Sequence, residues 1–407
     1  MQPPLPNLRH LRVFREVAAQ RSISQAASRV FLSQPAITQA IAKLERLLNT
    51  VLFERHNEGM RPTEAGLLYA ERVDRALALI RSGVQDALRV APEKGPRSRF
   101  PAEQMLTITQ LRALVAVSNA RNFSLAAHSV GTSQPALYRA ARDLEGLLGI
   151  ALYEKNAQGI DLTRQGQSLV QQIKLAFAEL SQGSAEIAAL AGQDSGRIVI
   201  GAMPLSRHFL LPAAINALAR QRPEVEVHAV DGPYEELLHG LRHGEIDLLI
   251  GAMREPVPVD DVVQEKLFDD PLNIVARAGH PLQGRSRIGL RDLAAYPWIV
   301  PRRGTPTREH FESLFRKAKC TPPPGLVESS SLVLIRALLL GSDRLTLISA
   351  HQVRLEAGQG LLTTLRYSLH DTRRPIGITT RRNWRPTATQ RLFLEQLRAT
   401  GRNYSEI

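Results

Sequence analysis

The residues best equipped for chemistry in this 407-residue chain are hydrogen-bonding side chains set at fixed spacing, and the set occurs twice. Ser33-Gln34-Pro35-Ala36 is followed by Thr38, Gln39 and Lys43, and Ser133-Gln134-Pro135-Ala136 is followed by Tyr138 and Arg139. Short amides and hydroxyls beside a cation suit base edges in a DNA major groove, and flanking cations suit phosphates. These are recognition groups rather than reaction groups. The chain has no G-x-S-x-G nucleophile turn, no G-x-G-x-x-G and no phosphate-binding P-loop. His239 and His243 stand four residues apart with no Cys or further His to complete a zinc set, and read as solvated histidines. The single cysteine, Cys320, has no motif partner and is not expected to act as a nucleophile. No catalytic residue, metal or cofactor is expected, so an enzyme is the weakest reading.

Stepping outward from these residues, the whole surrounding segment is duplicated. Residues 21–66 reappear at 121–166 at a constant offset of 100 without a gap, and 19 of the 46 aligned positions are identical. A constant offset across helices and loops alike means two copies of one small domain. In the first copy Leu8, Leu11, Phe14 and Val17 recur at helical spacing. Ser24 is expected to cap a second, short helix with Ala26, Ala27 and Val30 inward. Ser33 then caps a third helix with Pro35 in its first turn, and Ile37, Ile41, Leu44 and Leu48 form the buried stripe. Gln34, Thr38, Gln39 and Lys43 are left outward. Leu52–Arg55 and Met60–Pro62 read as two short strands of a wing bearing Arg55 and Arg61. Thr63 caps a long helix to about Leu88, with Leu67, Ala70, Val73, Leu77, Ile80 and Val84 down one side, fit to pair with another helix. A small packing domain without DNA is the plain alternative.

The spaced pattern F-x-x-V-A, S-x-x-x-A-A, S-Q-P-A, L-E-x-x-L, L-F-E-R and T-x-A-G resembles the N-terminal domain of LysR-type transcriptional regulators, in each copy. The resemblance implies that the start of the third helix reads DNA and that the wing touches phosphate. By motif position these residues are Ser33, Gln34, Pro35, Ala36, Thr38, Gln39 and Arg55, to which the outward face of the helix adds Lys43 and the wing adds Arg61. The second copy supplies Ser133, Gln134, Pro135, Ala136, Arg139 and Lys155. Family chains usually carry one such domain; this chain has two.

The charge is local. Residues 1–100 hold 16 Lys/Arg against 9 Asp/Glu, whereas residues 101–200 hold 8 of each, within a net charge of +13. Attraction to phosphate is screened and short-ranged, so the first copy is the stronger candidate for a polyanion. In the second copy Tyr138 stands where Thr38 would be and Asp161 where Arg61 would be. We expect a weaker, auxiliary reader there, with dimerisation through its long helix as the alternative. One cysteine, no secretion signal and no apolar run long enough for a membrane span point to a cytoplasmic protein.

From Gly196 the rhythm changes to short strands alternating with helices. Strands are expected at 197–201, 225–230 and 246–250 with helices at 209–220 and 235–243, then strands near 262–268, 272–276, 298–300 and 345–348 with helices at 307–319 and 331–339. A last strand at 374–380 and a helix around 387–397 return to the first lobe. Two α/β lobes joined by crossing strands make a hinged clamp. This half resembles the LysR-type effector domain, of type-2 periplasmic-binding-protein fold, and several stretches look closest to the galactose-binding-protein-regulator subgroup. By motif position the cleft residues are Pro204, Leu205, Ser206, Arg207, Gly232, Pro233 and Tyr234 in one lobe. In the other they are Arg302, Arg303, Thr305, Thr307, Arg308, Ser329, Ser330 and Ser331. Many of these are also ordinary helix caps.

The expected layout is multidomain. Two all-α winged helix-turn-helix domains occupy 1–90 and 105–192, separated by a Pro- and Arg-rich linker at 91–104. The α/β effector domain follows, with one lobe at 196–257 and 374–402 and the other at 258–373. The function this implies is a DNA-binding regulator answering to a sugar or small organic acid. Its implied partners are double-stranded DNA, the small-molecule effector, RNA polymerase and further copies in a homodimer or tetramer, with no membrane. A constitutive regulator with an empty cleft and, remotely, a solute-binding protein are the alternatives.

Overall fold

In this computed structural model the described residues are 5–57, 59–91, 102–157, 159–192, 196–369 and 372–405. The greater part of the linker, 92–101, lies outside them. The chain forms two compact units, one of residues 1–197 with 243–245 and the other of the remainder.

The first unit holds both copies. In copy one, α1 (Leu8–Gln20), α2 (Ile23–Val30) and α3 (Gln34–Leu48) pack through Leu8, Leu11, Phe14, Val17, Ala26, Ile37, Ile41 and Leu44, all buried. The α2 cap is Ser22, not Ser24: its side chain accepts from Gln25 N–H, which starts the helix two residues earlier than expected. Strands β1 (Phe53–His56) and β2 (Gly59–Pro62) pair antiparallel as the wing, and α4 (Glu64–Val90) follows. A short α5 (Ala102–Met105) leads into copy two. That copy repeats the plan with α6 (Ile108–Ala120), α7 (Phe123–Ser129), α8 (Gln134–Leu148), β3 (Tyr153–Asn156), β4 (Gly159–Leu162) and α9 (Arg164–Leu190).

The letters shared by the copies are the ones that hold this fold. The Glu45 carboxylate accepts from the N–H groups of Leu52 and Phe53 at 2.8 and 3.3 Å, and Glu145 does the same for Leu152 and Tyr153 at 2.7 and 3.2 Å. Each thereby ties the third helix to the start of its wing. A Cβ built on Gly66 would lie 2.1 Å from the Leu52 carbonyl oxygen, and one on Gly166 2.3 Å from that of Leu152. Only glycine lets the long helix approach so closely.

The partner of each long helix is inside the chain: α4 packs along α9. Arg72 meets Glu179, Gln182 and Glu186, while a Cβ on Gly83 would meet Gln172 and Leu169. Residue numbers fall on one helix as they rise on the other, so the pair is antiparallel. Gly183 in turn faces Tyr69 and Arg72, the counterpart of Gly83 facing Leu169 and Gln172. The contacts thus repeat with roles exchanged, and a pseudo-two-fold relates the copies. Leu67, expected on the apolar side of its helix, is exposed at 57%.

The second unit is an α/β pair of lobes. The first sheet has order β6 (Glu226–Val230), β5 (Arg197–Ala202), β7 (Leu248–Ala252), β14 (Arg374–Arg381), β8 (Val262–Asp270). β5 and β7 run parallel, and β14 is antiparallel to β7 and β8. Helices α10 (Leu210–Gln221), α11 (Tyr234–Arg242) and α16 (Ala388–Ser405) belong to this lobe, with α16 packed on α10. The second sheet has order β11 (Val327–Glu328), β10 (Trp298–Val300), β12 (Leu345–Ser349), β9 (Leu272–Arg277), β13 (Leu362–Thr364), with α12 (Leu290–Ala294), α13 (Pro306–Lys317), α14 (Leu332–Leu340) and α15 (Arg354–Gly358) around it.

The lobe boundary also differs from the expected one. The strand over 262–268 lies in the first lobe, not the second, because it pairs along the whole of β14. The chain crosses between lobes at Pro271, after Asp270.

Candidate nucleic-acid interface and effector cleft

In copy one the nominated reader positions lie where they were expected. Ser33, Gln34, Pro35, Gln39, Lys43, Arg55 and Arg61 are exposed, and Ala36 and Thr38 are half-buried at the first turns of α3. Ser33 caps α3 by backbone geometry alone, with no side-chain bond. The Thr38 hydroxyl donates to the Gln34 carbonyl at 3.1 Å. Burial first, then the neighbouring charges of Lys43 and Arg9, hold His10 below its ordinary pKa.

Copy two keeps the frame and changes the face. Ser133, Gln134, Pro135, Arg139 and Lys155 are exposed and Ala136 half-buried. Ser133 does cap with its side chain, to Ala136 N–H at 3.4 Å, and Gln134 Oε1 accepts from the Ser124 hydroxyl at 2.8 Å. Tyr138 is held between the edge of Phe123, with ring centroids 5.1 Å apart, and the Arg142 guanidinium, 5.1 Å above its ring. Hydrogen bonding to Tyr138 is also the leading reason the Arg142 pKa is raised. The wing acid Asp161 accepts from the Asn156 amide at 3.2 Å. A large aromatic and an acid therefore stand, fixed, where copy one has a hydroxyl and an arginine.

Among the effector nominees, several are engaged within the protein. The Ser206 hydroxyl is buried and donates to the Met203 carbonyl at 2.8 Å. Thr307 is buried and accepts from Arg374 at 2.6 Å. Arg374 also pairs with buried Asp270, which accepts from the Ser349 hydroxyl at 2.5 Å. This network pins the first crossing strand and the start of β14 to the first turn of α13. Arg308 is buried against Glu312 and Glu328 at 2.7 and 3.4 Å. Tyr234 is buried under the Arg254 guanidinium, 4.5 Å from its ring. Arg207 joins the loops after β5 and β6 by pairing with Asp231 at 3.1 Å. Thr305 and Ser331 cap α13 and α14, and Ser329 accepts from Ser331 N–H at 3.1 Å. Leu205 is buried, Pro204 and Ser330 are half-buried, and Gly232, Pro233, Arg302 and Arg303 are exposed. His243 is buried rather than solvated. Arg381 donates to the carbonyls of Leu241 and Ile246 at 2.6 and 2.7 Å.

Sequence reasoning missed the aromatic cavity beside these residues. A space of about 550 Å³ is lined by His208, Phe209, Arg336, His351, Glu356 and Tyr404, among others. Phe209 lies 4.3 Å from Tyr404 and 5.1 Å from His351, centroid to centroid. Arg336 pairs with buried Glu356 at its rim. Burial holds His208 and His351 below their ordinary pKa, so both are neutral near pH 7. The residues come from positions about two hundred apart, and no local motif marks them.

Comparison with known proteins agrees with this geometry. The sequence model for bacterial regulatory helix-turn-helix proteins of the lysR family matches residues 8–67 and again 108–167. The LysR substrate binding domain matches residues 191–402. The chain is 35% identical over 377 residues to the HTH-type transcriptional regulator GalR of Pseudomonas putida, covering 93% of each chain, so the alignment spans both copies. It is 27% identical over 285 residues to the regulator GbpR of Azospirillum brasilense, covering 69% of this chain and 83% of that one. Among solved structures, a variant of full-length OxyR from Pseudomonas aeruginosa superposes with a TM-score of 0.54 at 25% identity, over 71% of this chain and 97% of that one. CbnR, a LysR family regulator, gives a TM-score of 0.51 at 20% identity and supports the fold alone.

Proposed function

This chain belongs to the LysR family of bacterial transcriptional regulators, and from that premise we propose how its residues divide the work. It is a DNA-binding regulator with a substrate-binding domain, not an enzyme. Copy one is the principal reader. Gln34, Thr38, Gln39 and Lys43 face base edges, while Arg55 and Arg61 lie beside phosphates. Copy two adds a second footprint through Gln134, Tyr138, Arg139 and Lys155.

The observation that carries this reading is the division between frame and face. Glu45, Gly66 and their counterparts Glu145 and Gly166 preserve identical scaffolding, while part of the reader face differs. Ser33-Gln34-Pro35 recurs as Ser133-Gln134-Pro135, and among the reader positions the change is confined to 38, 39, 43, 55 and 61 and their counterparts. A kept scaffold with a partly changed face is what two DNA readers of different preference require.

The effector is a small organic molecule, a sugar or organic acid, seated in the clamp of the second unit. The Phe209 and Tyr404 rings offer a stacking face, and the Arg336–Glu356 pair offers polar contacts at one side. The protein acts in the cytoplasm as a homodimer or tetramer that engages RNA polymerase at its operator. No helix among the described residues is long and apolar enough to cross a membrane. Calorimetric titration of the full chain with a panel of sugars and organic acids tests the clamp. Saturable binding abolished by Phe209→Ala supports it; binding indifferent to Phe209 moves the effector to another site, and heat from no compound favours a constitutive regulator.

A further inference from the structure

We propose that α4 and α9 form an obligate unlike pair keyed by Arg72, so that each chain builds its own two-headed grip and reads a target whose two halves differ. The asymmetric target rests on the DNA-binding reading above; the pairing does not.

The key occurs at only one end of the helix pair. Arg72 has no exposed surface, yet it holds Glu186 through two bonds of 2.9 and 2.7 Å, Glu179 at 2.8 Å and Gln182 at 3.1 Å. Arg75 closes on the other Glu179 oxygen at 2.8 Å. At the end related by the pseudo-two-fold the same positions are Gln172 and Leu175 on α9, facing Leu79, Ser82 and Asp86 on α4. No such cluster can form there.

Like pairs therefore fail in opposite ways. Two α9 helices in the same register would set Glu179 and Glu186 of each against Gln172 and Leu175, leaving four carboxylates in the seam without a cation. Two α4 helices would set each Arg72 against Leu79 and Ser82, with Asp86 as the one acid in place of two glutamates. Uncompensated charge in a packed seam is strongly unfavourable, and this is how a pair excludes wrong partners. Only α4 with α9 brings Arg72 and Arg75 together with Glu179 and Glu186.

A true two-fold demands a palindromic site, because identical helices read identical halves. Here the related reader positions are Thr38 and Tyr138, Gln39 and Arg139, Lys43 and Asp143, with Arg61 and Asp161 in the wings. The two halves of the preferred site must differ accordingly.

Three measurements on the full chain test this. In a Cys320→Ser background, Gly83→Cys with Gln172→Cys places Cβ atoms 2.7 Å apart, so a disulfide needs the helices to part by about 1 Å. Oxidation should give a faster-migrating single chain at every protein concentration. Crosslinked dimers, or no crosslink in protein of unchanged helix content, overturn pairing within the chain. For the key, a protease site is inserted in the linker and the folded protein nicked. The wild type should retain its N-terminal fragment on gel filtration, Arg72→Glu should release it, and Arg72→Glu with Glu179→Arg and Glu186→Arg should hold it again. Retention by Arg72→Glu alone, or no rescue by the swap, removes Arg72 as the key. Selection from random duplex DNA should return a site of two unlike halves. Inverted repeats overturn the inference while leaving DNA binding intact; enrichment of no site overturns the DNA-binding reading and leaves the crosslink result standing.

Discussion

Replacing Arg72 with Met should loosen the head more than any other single change outside the apolar core. The guanidinium is 0% exposed and its partners Glu179 and Glu186 have side chains 9% and 10% exposed. Burial alone would lower the Arg72 pKa, but the hydrogen bonds it donates to Glu186 and Glu179 raise it above the ordinary arginine value, so the pair is well compensated. Methionine fills much of the volume but leaves two carboxylates facing an apolar seam. Removing one member of a buried ion pair costs about 3–5 kcal/mol. Arg75 still neutralises one Glu179 oxygen, which places the expected loss near the low end, about 3 kcal/mol. For a unit of this size that is a drop in melting temperature of about 6–12 °C. Both tryptophans, Trp298 and Trp384, belong to the effector half. Helix circular dichroism is dominated by the head, which holds the longer helices, while tryptophan emission follows the other unit and identifies its share of the helix signal. The first transition should fall and the second should stay. The variant Arg72→Gln, Glu179→Leu, Glu186→Asp, which copies the related end of the pair, should recover most of the loss. A head transition lowered by less than about 2 °C would refute the reasoning, since about 1 kcal/mol or less is what a solvent-exposed pair contributes.

Further outcomes follow from the same geometry. Gly66→Ala should destabilise the head by about 1–3 kcal/mol or more, because the new methyl lands 2.1 Å from the Leu52 carbonyl oxygen; an unchanged urea midpoint by circular dichroism would contradict this. Arg55→Ala should weaken binding to all duplexes similarly and flatten the salt dependence, whereas Gln34→Ala should cost about 1–3 kcal/mol at one base pair only, read by competition with single-base variants. Burial holds His208, His280 and His351 below the ordinary histidine value, so the unfolded chain takes up protons near pH 6.5 before the folded one does. Their contribution to stability is complete above about pH 6.5 and declines as pH falls below it, so the tryptophan-monitored urea midpoint should be lower at pH 5.5 than at 7.5. A midpoint that rises on acidification would contradict the assignment.

The sequence made the reader helices legible because their information is local. Pro35 in a first turn, the Ile37–Ile41–Leu44 stripe and the hundred-residue offset each need only a short window or a self-comparison. The lobes were legible from alternating strands and helices, but β8 was placed in the wrong one. Its sheet membership depends on β14, more than one hundred residues away, and an amphipathic strand carries no mark of which neighbour it will choose. The pairing of α4 with α9 was hidden for the same reason. Both helices show a seam suited to another helix, yet the choice between a second chain and the second copy is made by Arg72 with Glu179, 107 residues apart. Cap motifs misled the cleft assignments: Thr307 looks like a ligand contact in sequence and is spent on Arg374 in the fold. The aromatic cavity gathers Phe209, His351 and Tyr404 from loops and a helix end that share no pattern.

The central claim, that one chain reads DNA with two unlike heads, is tested most directly by footprinting. The full chain on its selected operator is compared with Gln34→Ala and with Gln134→Ala, Arg139→Ala. The account predicts two adjacent protected patches, with the first variant altering protection in one and the second shortening or weakening the other. An unchanged protected length and affinity for Gln134→Ala, Arg139→Ala would contradict it and leave copy two as a pairing module alone.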